Sequence, residues 1–250
     1  MGIELAKIYA VWLREVKRYT NSKSRMLSSM GMPLLFLVAL GGGFSALVPG
    51  FNYESFILPG ILAMTVVFTS VFAGVSIIWD REFGFLKEML AAPASRQTIV
   101  IGRTLGGATT AIIQGILILV LGFVFTGTPI PSLLSLGGIF VLMVIMSCSL
   151  VAFGIAIASM VNEIETFQLL MNLIVMPLIF LSNALFPINK MPAWLQAVSS
   201  VNPISYSVDG LRIMMIGSGT FSLGLDFGIA IAGLAVMVAA ASYLFSKTSI

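Results

Sequence analysis

The sequence predicts an all-α integral membrane protein, and three observations carry that prediction. Hydrophobic residues make up 58% of the 250 residues and charged ones only 9%, with a mean hydropathy of +1.07. Soluble domains carry about a quarter charged residues, so this chain could not cover a water-facing surface. The apolar residues also gather in six runs long enough to cross a bilayer, with Lys and Arg concentrated on one side of them.

A helix needs about 20 apolar residues to cross roughly 30 Å of hydrocarbon. The six qualifying runs are 26–47, 56–79, 104–126, 132–160, 167–186 and 223–245, and only Asp226 brings a charge into any of them. Pro33, Pro59 and Pro177 interrupt three of the runs as kinks that membrane helices tolerate. Gly102/Gly106 and Gly224/Gly228 form G-x-x-x-G pairs near helix ends, which permit close helix approach but are weak dimerisation signals there. The first run is too long for a cleaved signal peptide and is read as a retained span. Residues 1–25 precede a six-helix domain of residues 26–250, and the C-terminal Ser246-Lys247-Thr248-Ser249-Ile250 is expected to carry no fused domain.

Eleven Lys and Arg residues fall on one side of the spans: Lys7, Arg14, Lys17, Arg18, Lys23, Arg25, Arg81, Lys87, Arg96, Arg103 and Lys247. The other side holds Lys190 and Arg212. That asymmetry predicts a multi-pass protein with both termini in the cytoplasm, and it assigns the net charge of +3 to the membrane surface rather than to nucleic acid. The single cysteine, Cys148, excludes a disulfide within the chain, and the absence of histidine removes Ser-His, HExxH and His-relay chemistry.

Three segments outside the spans are informative. In Ile3–Tyr19 a helical period puts Leu5, Ile8, Tyr9, Trp12, Leu13, Val16 and Tyr19 on one face and Glu4, Lys7, Arg14, Glu15 and Arg18 on the other, with Ile3 and Val11 out of place. Such a basic amphipathic helix lies along the headgroup boundary, as a general anchor or as a grip for a partner. The loop from Trp79 to Pro93 carries a short helical pattern, with Phe83, Leu86 and Leu90 on one face and Pro93 barring continuation past Ala92. So short a helix needs a surface to pack on, either this chain's own or a cytoplasmic partner's. The connection from Pro187 to Phe221 is too long for a hairpin and reads as short elements dipping into the interface, broken at Asn202-Pro203. Asp209 and Arg212, spaced i, i+3, are expected to pair, and the segment is either a simple cap or a gate.

Taken in order, these motifs resemble the ABC-2 type permeases, in particular the daunorubicin-resistance and nodulation-factor exporter branch. The likeness covers nearly the whole chain. It includes Asp80-Arg81-Glu82-Phe83-Gly84-Phe85-Leu86-Lys87-Glu88-Met89-Leu90-Ala91-Ala92-Pro93-Ala94-Ser95-Arg96, then Leu185-Phe186-Pro187-Ile188, Met191-Pro192, Trp194-Leu195, Val201-Asn202-Pro203, Tyr206 and Asp209-Gly210-Leu211-Arg212. The resemblance implies a cytoplasmic coupling helix at Arg81, Glu82, Phe83, Gly84, Lys87 and Glu88, docked on a separate ATP-binding subunit. Members often have Gly-Thr where this chain has Gly84-Phe85. It implies extracellular re-entrant helices between spans 5 and 6 that close the outer end, with Pro187, Trp194, Asn202, Pro203, Tyr206, Asp209 and Arg212 at the matching positions. It further implies two permease chains, identical or not, with two ATP-binding subunits in a prokaryotic inner membrane. The expected work is export of an amphipathic drug, lipid or glycoconjugate, with ATP and Mg²⁺ held by the partner and no cofactor or metal bound by this chain.

The residues agree with that implication. No G-x-x-x-x-G-K-[ST] phosphate loop is present and none of the six lysines follows a glycine, so an ATPase would be another chain and this one is not an enzyme. An ion-coupled secondary transporter would place charges near the midplane, whereas Glu163 and Glu165 fall in a turn and Asp226 near a helix end. An intramembrane hydrolase lacks its histidine or acidic pair, and nothing resembles a channel's selectivity filter. On the fifth span Asn172, Met176, Ile179 and Asn183 share a helical stripe, which would line a polar substrate path or bond across helices.

Overall fold

The computed structural model describes residues 2–47, 53–91 and 95–247. Among them there are twelve α-helices, one π-helical segment, one 3-10 turn and no strand. Ala92, Pro93 and Ala94 of the loop motif, and Thr248 to Ile250 of the tail, lie outside the described residues.

Helix α1 (Gly2–Thr20) runs into α2 (Lys23–Phe36), which continues through a π-helical segment, Leu37–Gly42, into α3 (Gly43–Leu47). Next come α4 (Tyr53–Ala73), α5 (Ser76–Glu82), α6 (Phe85–Ala91), α7 (Arg96–Thr126) and α8 (Leu133–Ala158). The remainder is α9 (Ile164–Phe180), a 3-10 turn at Ile188–Lys190, α10 (Ala193–Val201), α11 (Pro203–Ile216) and α12 (Leu223–Ser246). Four stretches are long and apolar enough to span a membrane: Tyr53–Glu82, Arg96–Thr126, Leu133–Ala158 and Leu223–Ser246. The first and fifth expected spans are shorter apolar helices, Ser29–Ser45 and Ile164–Phe180.

Helix starts follow local chemistry. Ser95, Ser132 and Ser222 cap α7, α8 and α12, each accepting a hydrogen bond from the backbone N–H three residues on. Gly127 and Gly217 end α7 and α11 in the left-handed conformation. Arg96 donates to the carbonyl oxygens of Phe245 (3.3 Å) and Ser246 (2.6 Å), satisfying the last turn of α12. The fifth expected span does not run to Phe186. Its helix stops at Phe180, where the Leu181 N–H turns back to the Pro177 carbonyl at 2.8 Å, and residues 181–186 fold under α11.

At the centre lies α4, whose apolar window is 72% buried. Ile57, Leu58, Ile61, Leu62, Val66 and Val67 are all fully enclosed by α7, α8, α9 and α11. A helix apolar on every side belongs at the core, and α4 is such a helix. By contrast only 11% of the α12 window is buried, so that helix packs one face on α8 and turns Ile231, Val236 and Tyr243 outward.

Val11, out of place in the amphipathic pattern, is the residue that seats α1. It sits on Gly102 and Glu15 sits on Gly106, the G-x-x-x-G pair of α7. A Cβ at Gly102 would meet the Val11 Cβ at 2.8 Å, and one at Gly106 would meet the Glu15 Cβ at 2.6 Å. The pair is thus a notch for α1 within the chain, while a Cβ at Gly224 or Gly228 would meet nothing among the described residues. Leu5 and Tyr9 face outward, as expected for a helix at an apolar boundary. The Glu4 carboxylate, bound to Lys7 at 2.8 Å and to the Thr98 hydroxyl, has its pKa lowered by those two bonds.

Two outcomes are expected. Gly106→Leu overpacks the notch and lowers stability by about 1–3 kcal/mol, read as a lower Tm in detergent with faster tryptic cleavage within α1. Since the folded pKa of Glu4 is depressed, its contribution is present above the ordinary value of 4.5 and lost as pH falls through the lowered one. Hydrogen-exchange protection factors in the first turns of α1, corrected for the intrinsic pH dependence of exchange, should therefore fall at acidic pH, and Glu4→Gln should remove that fall.

Candidate functional site

Between α5 and α6 the chain makes an elbow. Gly84, with φ of 78°, supplies the left-handed turn that an L side chain adopts only under strain. This turn divides the expected loop helix. Phe83 and Leu86 consequently do not share a face: Leu86 is fully buried, Phe83 is 72% exposed, and the Leu90 side chain lies outside the described residues.

The elbow is held from beneath by a charge cluster. Asp80, at the end of α5, is buried and ion-paired with the equally buried Arg103 of α7. Its other oxygen pairs with Arg14 of α1 at 2.6 Å. Arg103 also donates to the Ser76 hydroxyl at 3.0 Å, and Arg14 reaches the Met89 sulfur of α6 at 3.0 Å. One carboxylate thereby ties α1, α5 and α7 together below α6. On the other flank Arg81 donates to the Val161 carbonyl (3.0 Å) and the Asn162 side chain (2.7 Å), joining the elbow to the α8–α9 connection. Above this base Glu82, Phe83, Phe85, Lys87 and Glu88 are all exposed. Beside them a hollow of about 430 Å³ is lined by Arg14, Arg18, Trp79, Asp80, Phe83 and Phe85.

A second polar cluster lies at the far end, around Asn183. Asp209 accepts from the Asn183 amide at 3.0 Å and from the backbone N–H groups of Thr220 and Phe221 at 2.8–3.0 Å. Arg212 donates to the Asn183 carbonyl at 2.7 Å and lies 4.0 Å above the Phe56 ring. The expected Asp209–Arg212 pair does not form. Each instead grips Asn183, and their buried charges are met by backbone dipoles and an aromatic face. Asn202 caps α11 through Ile204 and donates to the Leu178 carbonyl at 2.6 Å, with Pro203 in the first turn. Tyr206 stacks on Phe221 at 4.5 Å and donates to the Ser200 carbonyl at 2.6 Å. Pro187 leads into the 3-10 turn, and Trp194 stands exposed on α10.

A helical bundle with this elbow and this cap matches the model of one family, described as "ABC-2 type transporter", over residues 6–216. The chain belongs to the ABC-2 type transporter family. Transport permease ycf38 of Cyanophora paradoxa is 32% identical over 196 residues, covering 76% of this chain and 67% of that protein. Nodulation protein J of Rhizobium meliloti is 28% identical over 225 residues, 88% of this chain and 85% of its own. Inner membrane transport permease YadH of Escherichia coli is 26% identical over 240 residues, 92% and 90% respectively. Membership makes the chain a multi-pass transport permease, of a family that works with an ATP-binding subunit.

In this ABC-2 permease the expected stripe on the fifth span does not hold together. The inward face of α9 is Phe167, Met171, Val175 and Ile179. Asn172 and Met176 point outward between Leu169, Leu173 and Phe180, and Asn183 lies past the helix end, fully buried under α11. Ile179 lies on the same helical stripe as Asn172, seven residues on, but is buried where Asn172 is exposed. Asn183 bonds across elements as polar glue, while Asn172 presents an amide on an otherwise apolar surface. Asp226, read as peripheral, is fully buried at the start of α12 beside Gly210. The Asp80–Arg103–Arg14 cluster went unread, although Asp80 and Arg103 each stood at the edge of an apolar segment.

Removing Asp80 would strand the buried Arg103. Asp80→Ala should cost about 3–5 kcal/mol, measured as loss of Tm and of monodisperse protein in detergent, whereas Asp80→Ala combined with Arg103→Met should recover a substantial part.

Proposed function

We propose that the chain is the membrane subunit of an ATP-driven exporter, with the elbow as the docking surface for its ATP-binding partner. The observation that carries this reading is the contrast within the elbow. Beneath it an ion-paired base fixes three helices, and above it Glu82, Phe83, Phe85, Lys87 and Glu88 project without cover. An exposed aromatic rimmed by charges, on a rigid support and beside a hollow, suits a protein partner. The eleven-to-two asymmetry of Lys and Arg supports a cytoplasmic position for this end and an outer one for the Asn183 cap. In this reading α2 with α3, and α9 with the turns after it, complete six spans, and the Asn183 cap closes the outer end of the path.

The working unit is two permease chains with two ATPases, and ATP and Mg²⁺ sit on the latter. The outward face of α9 supports the pairing of chains. An amide facing lipid goes unsatisfied, so Asn172 favours a second permease or a watered path against Leu169, Leu173 and Met176. The cargo class that fits is an amphipathic drug, lipid or glycoconjugate leaving the cell from a prokaryotic inner membrane.

The deciding experiment is co-purification in detergent of the tagged permease with the ATP-binding protein encoded beside it. The pair should form and hydrolyse ATP, and Phe83→Asp should weaken it about tenfold or more, as loss of an aromatic anchor does. A permease that purifies folded but never captures the ATPase would overturn the assignment. Asn172→Leu should preserve the complex but lower its substrate-stimulated ATPase activity, while Asn183→Leu should lower the permease's Tm.

A further inference from the structure

A cavity of about 550 Å³ opens inside the single chain where α1, α2, α4 and α7 meet, a volume within the usual range for small-molecule sites. It borders the elbow hollow through Arg18 and Trp79, takes in Gln168 of α9, and is separate from the outer cap. Its floor is Gln114 of α7, buried to 1% exposure. The Gln114 side-chain oxygen accepts from the Tyr19 hydroxyl at 3.2 Å and from the Thr69 hydroxyl at 3.1 Å. These two donors fix the amide, and its nitrogen has no acceptor among the described residues. Burial raises the Tyr19 pKa, so its hydroxyl stays a donor.

Glu15 of α1 forms part of the wall, its Cβ seated on Gly106 and so fixed in place. Neither of its carboxylate oxygens has a hydrogen bond or ion pair among the described residues, and one of them, Oε1, is buried. Arg18 also lines the cavity, but its guanidinium lies 4.7 Å above the Trp79 ring. The remaining wall mixes polar side chains (Thr65, Ser76, Thr110 and Gln168) with apolar and aromatic ones, among them Phe68 and Phe72 stacked at 6.4 Å. A carboxylate with no ion pair among the described residues is a ready partner for a cation brought against it. Aromatic faces favour the same sign of charge.

We propose that this cavity binds an amphipathic molecule bearing a protonated amine. The ammonium group lies against Glu15, an acceptor on the molecule takes the Gln114 amide N–H, and the apolar body runs along Phe68 and Phe72. Two sources share this chemistry: an aminophospholipid of the surrounding leaflet, and a lipophilic amine as cargo. The site does not rest on the exporter reading, because it is tested as binding to the permease alone.

Trp79 lies in the wall and serves as reporter once Trp12 and Trp194 are replaced by Phe. In phosphatidylcholine nanodiscs at pH 7, its emission is titrated with dodecylamine, dodecanol and dodecyl sulfate, which share one chain length. Dodecylamine should give a saturable change with half-saturation about tenfold or more below that of dodecanol, the size of one charge-assisted contact. Glu15→Gln, which keeps shape and fold, should erase that preference, and Thr69→Phe should reduce binding of all three probes. Lipid extraction with mass spectrometry separates the sources. About one aminophospholipid per chain retained by wild type and lost in Thr69→Phe identifies the lipid, with dodecylamine then read by displacement; none retained identifies the cargo. No saturable change, or a preference for the amine that survives Glu15→Gln, would overturn the proposal.

Discussion

The Asp80 carboxylate is the interaction on which the elbow of this permease depends. A charge buried near the end of a membrane-spanning helix is tolerable only with its counter-charge in place, and Arg103 supplies it from α7. Once α5 and α7 are joined in this way, the chain between them has to turn within a few residues. The left-handed Gly84 makes that turn and brings Phe83 to the surface. Arg14 then recruits α1 to the same carboxylate. The elbow is therefore a fixed projection, held by the ion pairs beneath it and by the buried Leu86 of α6.

At the opposite end the solution is different in kind. Asp209 and Arg212 are close in sequence but form no direct ion pair, each bonding elsewhere. Backbone N–H groups surround the first, while a carbonyl and the Phe56 ring receive the second. Asn183 stands between them, its amide on one and its carbonyl on the other. Such a cap needs its members in fixed register, because each buried polar group has few alternative partners. This is why α9 ends early: continuing the helix to Phe186 would carry Asn183 out of reach of α11.

The all-helical membrane class, the amphipathic first helix and the position of the elbow were legible in the sequence, since all three rest on hydropathy and period. Contacts between distant segments were not. Val11 broke a helical pattern for a reason visible only with Gly102 opposite it. Asp80 and Arg103 read as ordinary loop charges because nothing in one dimension brings residues 23 positions apart into a buried pair. The Asn172–Asn183 stripe assumed one unbroken helix and is cut before Asn183. Periodicity cannot report that a segment after Pro177 stops turning when a tertiary partner claims it.

One helix serves two places at once. Arg14 bonds to the elbow, and five residues later, roughly 7 Å along the axis, Tyr19 bonds to Gln114 at the cavity floor. Glu15 lies between them, keyed into α7. The first helix is thus a stiff tie-rod whose two ends cannot be displaced independently. A displacement of the exposed projection would reach the chamber inside the bundle through this one helix, with no flexible linker in between to absorb it.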